Sequence, residues 1–64
     1  MSNWMVEALL DLEYDGTAAE AYTNQELVDA IIVHGIGSGK IAEASEVDDW
    51  AVAAKQFINN WRKA

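Results

Sequence analysis

Asp11, Glu13 and Asp15 place three carboxylates at alternate positions, and Gly16 and Thr17 follow directly. Alternating oxygen donors before a sharp glycine turn are what a hard cation such as calcium needs. A second group is His34-Gly35-Ile36-Gly37-Ser38-Gly39-Lys40. Glycines before a lysine can wrap backbone N–H groups around a phosphate. The third group is the single histidine, His34, with Ser2, Ser38 and Ser45 as the only serines. There is no cysteine, so disulfides and thiolate chemistry are excluded. One histidine does not build a zinc site.

The segment Asp11-Leu12-Glu13-Tyr14-Asp15-Gly16-Thr17 resembles the first half of an EF-hand calcium loop. Its oxygens and glycine fall at the first, third, fifth, sixth and seventh places of that loop. The resemblance implies a calcium-responsive turn after a helix. The second half departs from the pattern. Ala18 stands where a branched apolar residue is usual, Tyr22 stands where the bidentate glutamate closes the shell, and Glu20 falls two residues early. Without the bidentate ligand, affinity collapses. The segment therefore reads as a solvated acidic helix end with a turn, and a degenerate calcium loop is the alternative. The glycine cluster fails as a Walker loop, because Ile41 follows Gly39-Lys40 and His34 occupies the place of the first glycine. It reads as a helix-to-helix connection.

Ile41-Ala42, Val47 and Val52 have the core spacing of a DNA-binding helix-turn-helix. Glu46 and Ser45 stand where that motif has glycine and an apolar residue, and its recognition helix would open on Asp48 and Asp49. Phosphates repel such a helix. No serine has an evident base, and paired acids on a helix are ordinary solvated charges. No enzyme activity, cofactor or metal is expected.

The elements that must position these residues follow from apolar periodicity. Met5, Ala8, Leu9 and Leu12 predict a helix over about residues 3–13, capped by Asn3 or Ser2. Thr23 and Glu26 form a capping box for a helix over about 24–34. Leu27, Ala30 and Ile31 line one face of it, Val28 and Ile32 lie beside them, and Gly35 is the expected left-handed end. A third helix is predicted over about 46–62, with Ser45 as N-cap and Trp50, Ala53, Ala54, Phe57, Ile58 and Trp61 as its apolar stripe. Glu46, Asp48 and Asp49 open it and Arg62 and Lys63 close it, as the helix dipole favours. Thr17 to Glu20 and Lys40 to Ala44 read as short extra turns. Alternation at Leu10, Leu12 and Tyr14 before Asp15-Gly16 offers a β-hairpin over residues 10–22 as the rival, although three alanines make a poor return strand.

The fold expectation is thus all-α, one helical domain over residues 1–64, a small bundle of three to four helices. At 64 residues with 52% hydrophobic content, the chain is too apolar for a disordered tail and close to the smallest size a single core can hold. Met1-Ser2-Asn3-Trp4 carries no basic leader, and no apolar run approaches the ~20 residues of a membrane span. A cytoplasmic location without membrane contact is expected.

Net charge is −7. All eleven acids and one base, Lys40, leave −10 on residues 1–49, while Lys55, Arg62 and Lys63 put +3 on residues 50–64. Such a body repels nucleic acid directly. Glu7, Asp11 and Asp15 recur every four residues, about 6 Å apart on a helix, near the spacing of phosphates along a strand. The expected function is a small acidic protein-interaction module, an inhibitor or adaptor in the style of phage and mobile-element proteins. Its partner is another protein with a basic or nucleic-acid-binding surface, met at Glu7, Asp11, Glu13, Asp15 and Trp4. Three tryptophans are many for so small a core, which is why Trp4 joins that surface. A structural domain that self-associates, for instance as a homodimer, is a further alternative.

Overall fold

The computed structural model describes residues 3–63, and of Asp15 the backbone alone. Three α-helices run in chain order: α1 (Trp4–Leu12), α2 (Asn24–Gly37) and α3 (Val47–Lys63). Single 3-10 turns lie between them at Glu13–Asp15, Ala19–Ala21 and Ala44–Glu46. No strand occurs among the described residues, so the hairpin over residues 10–22 is not formed. Gly16 does turn the chain there, with φ +89°, but it ends a 3-10 turn instead of joining two strands.

Local chemistry explains most boundaries. The Asn3 side chain accepts from the Met5 N–H and starts α1; Ser2 lies outside the described residues. The Thr23–Glu26 capping box forms as the spacing predicts, with each side chain accepting from the other's backbone N–H. α2 then runs past Gly35 to Gly37, and the left-handed glycine beyond its end is Gly39, φ +81°. Gly35 is helical and buried. Its missing side chain is a packing requirement: a Cβ there would lie 2.7 Å from Trp4 Cη2 and from Ile41 Cδ1. Ser45 does not cap α3. It lies inside the 3-10 turn, and Glu46 reaches back to the N–H groups of Ala42 and Glu43.

α2 packs against both α1 and α3. Leu27 and Ile31 of α2 are completely buried, joined by Met5, Ala8 and Leu9 from α1 and by Ala54 and Ile58 from α3. Trp50, Phe57 and Trp61 of the α3 stripe are half-buried against this core. The radius of gyration is 11.2 Å, close to the ~10.7 Å of a compact chain of this length. Arg62 fastens the turn before α2 from the far end of the chain. Its guanidinium donates to Asn24 Oδ1 at 2.7 Å, the Tyr22 carbonyl at 2.6 Å and the Glu20 carbonyl at 3.4 Å. No helix among the described residues is long and apolar enough to cross a membrane.

Candidate functional site

The acidic stripe expected on α1 divides into residues with different duties. Glu7 and Asp11 lie one turn apart and are exposed. Glu13 is half-buried, and its carboxylate accepts from the Ala19 N–H at 2.8 Å. It thereby opens the 3-10 turn at Ala19–Ala21, where Ala18 at the cap position supplies no side-chain bond. The Asp15 side chain lies outside the described residues.

Asp11 meets His34. His34 Nδ1 stands 3.0 Å from Asp11 Oδ2. The His34 ring stacks on Trp4, with centroids 6.2 Å apart and planes 12° from parallel. Trp4 in turn meets Trp50 edge-on at 5.4 Å. Trp4 is therefore held half-buried at the junction of the three helices, over Gly35. Ser38 Oγ donates to the Gly35 carbonyl at 3.5 Å and not to His34. Among the described residues, no three histidine or acidic side chains converge as they would around a metal ion.

A groove runs between α1 and α2. It is lined by the apolar side chains of Ala8, Leu12, Ala30 and Val33, by the acids Asp11 and Asp29, and by His34. Its volume is about 420 Å³. Asp29 is held in place by Gln25, whose Nε2 donates to its carboxylate at 2.9 Å. Val33, although aliphatic, is 69% exposed.

Of the five residues expected to meet a partner, Glu7 and Asp11 are thus presented on one edge of this groove's first helix, whereas Glu13 and Trp4 are engaged within the fold. Asp29 and Val33 line the groove but were not among the expected residues. For Val33 the signal was present: between Ala30 and Ile36 only His34 is polar, more apolar residues than one helix face can hold. No protein-family model matches the chain, and neither a curated protein nor a solved structure matches it.

Proposed function

We propose that the chain is a small acidic protein-interaction module, an inhibitor or adaptor, that binds a basic surface of another protein. The carrying observation is charge left without a partner inside the fold. Among the described residues a single acid–base contact occurs, His34 with Asp11, although the chain carries eleven acids. Arg62 spends its guanidinium on carbonyls and an amide oxygen. Helix capping accounts for Glu26 and Glu46, and the dipole of α3 accounts for Asp48 and Asp49. Glu7 lies in the first turn of α1, where that helix's dipole accounts for it in the same way; Asp11 meets only His34, and Asp29 is explained by neither capping nor a dipole. Like charges one turn apart on α1 cost a few tenths of a kcal/mol, and a basic protein surface, such as one that binds nucleic acid, offsets that cost.

The test is capture from source-cell extract with the wild-type chain and with a Glu7→Lys, Asp11→Lys, Asp29→Lys triple variant, at about 0.05 M and about 0.5 M salt. Support is a partner held at low salt, released at high salt and absent with the triple variant. Unchanged capture by the triple variant refutes the reading.

A further inference from the structure

We infer that the groove between α1 and α2 is the docking site for a basic amphipathic helix of the partner protein. The inference rests on the proposed function and specifies how that partner is held. Its first support is the composition of α2. From Ala30 to Ile36 this helix is apolar on every side except at His34. The three-helix core uses Ile31, and Trp4 and Ile41 close over Gly35. Val33 and Ile36 remain 69% and 55% exposed. Helices apolar all round occur where every face is covered, and here the face with Val33 and Ile36 is not.

Charge decides between the possible occupants. A second copy would bring Asp11 and Asp29 of both chains into one interface, because a two-fold contact uses the same patch on each copy. Each copy also brings a net charge of −7, and like charges juxtaposed across an interface are costly. A helix with apolar residues at i, i+3 and i+4 and lysine or arginine on the flanks meets neither obstacle. Its apolar side chains enter between Ala8, Leu12, Ala30 and Val33, and its cations reach Asp11 of α1 and Asp29 of α2. A second groove, between α2 and α3, shares Asp29 and Val33 but has Lys55 on its other edge. Mixed charge there does not select a basic helix, which assigns the site to the α1–α2 side.

The probe is a synthetic peptide of about fourteen residues, near the length at which an isolated helix becomes possible. It carries leucine at i, i+3 and i+4 and lysine elsewhere. The control has the same composition, scrambled so that no apolar face survives. Binding to the intact chain is read by calorimetry and by amide shifts. The amphipathic peptide is expected to bind at least about tenfold more tightly than the control, with the largest shifts at Ala8, Leu12, Ala30 and Val33. Val33→Ser should abolish that advantage, while Val52→Ser, at a comparably exposed valine on α3, should keep it. Circular dichroism confirms that both variants fold.

Equal, salt-sensitive binding of the two peptides overturns the groove and leaves the acidic-surface reading standing. Binding of neither overturns both. A persistent advantage in Val33→Ser overturns the groove as well. Concentration-dependent self-association that Val33→Ser reverses overturns the basic helix in favour of a second copy.

Discussion

Gly35→Ala should destabilise this protein, although glycine-to-alanine within a helix ordinarily stabilises. The ordinary gain is about 0.5–1 kcal/mol, because alanine loses less backbone freedom on folding. At Gly35 a methyl group would lie 2.7 Å from Trp4 Cη2, 2.7 Å from Ile41 Cδ1 and 2.9 Å from Ile41 Cγ1. All three separations are well inside van der Waals contact. Ile41 can yield a little by rotation, but its N–H is bonded to the Gly35 carbonyl at 2.9 Å, which holds it over the site. Trp4 cannot withdraw without leaving its contacts with His34 and Trp50. Overpacking of this kind costs about 1–3 kcal/mol, and the upper half of that range applies where two neighbours are fixed. The net expectation is a loss of about 1.5 kcal/mol, or a fall in Tm of about 6–12 °C for so small a domain. Gly37→Ala supplies the internal comparison. It lies in the same helix and its Cβ would meet nothing within 4 Å, so the same substitution should stabilise by about 0.5 kcal/mol. Thermal and urea unfolding, followed by helical circular dichroism and tryptophan fluorescence, measure both. If Gly35→Ala is as stable as wild type or more so, the close approach of Trp4 and Ile41 is not a constraint and the reasoning fails.

Arg62→Met removes three hydrogen bonds to the segment before α2 while keeping an apolar stem; a loss of about 1 kcal/mol is expected, with faster amide exchange at residues 19–24. Glu13→Ala should cost a similar ~1 kcal/mol, because the Ala19 N–H loses a charged acceptor. In the same variant partner affinity should fall less than with Glu7→Ala, and calorimetry against the captured partner separates the two effects. Added salt should act oppositely on stability and binding: as screening shortens from about 10 Å at 0.1 M to about 3 Å at 1 M, the self-repulsion of a chain of net charge −7 eases and Tm rises, while partner affinity falls. A parallel decline of both would contradict uncompensated acidity as the source of binding.

What the sequence made legible was local. The Thr23–Glu26 capping box is complete within four residues and formed as the spacing required. The apolar stripes of α1 and α3 are likewise periodic over a few turns, and Met5, Leu9, Ala54 and Ile58 became core. Gly35 was misread for an instructive reason. A glycine near the end of an apolar run is indistinguishable, in one dimension, from a left-handed stop; only the neighbours Trp4 and Ile41 show that it is there for lack of a Cβ. The same holds for caps supplied from elsewhere. Glu13 reaches six residues forward to Ala19, and Arg62 reaches back about forty to Tyr22. No spacing rule anticipates such partners. The groove was hidden for a related cause. Whether Val33 is core or surface depends on how many helices surround α2, and only two do.

In the proposed docking mode the acidic residues have a second duty besides attraction. An uncovered valine beside Ala30 and Leu12 would, on a neutral protein, invite association with any apolar surface, including another copy of itself. Asp11 and Asp29 line the same groove as that apolar strip, and Glu7 precedes Asp11 by one turn. Any approaching helix must pass these charges before apolar contact forms. A like-charged or neutral helix desolvates them without compensation, whereas a basic helix forms ion pairs as it docks. Discrimination is then a difference between two free energies, and the apolar walls contribute to affinity only for partners that the charges admit. On this reasoning neutralising Asp11 and Asp29 to asparagine would do more than weaken binding: it would also make the exposed strip less selective. If the groove docks a basic helix as proposed, Asp11 and Asp29 therefore do more than mimic spaced phosphates: they decide what reaches Val33.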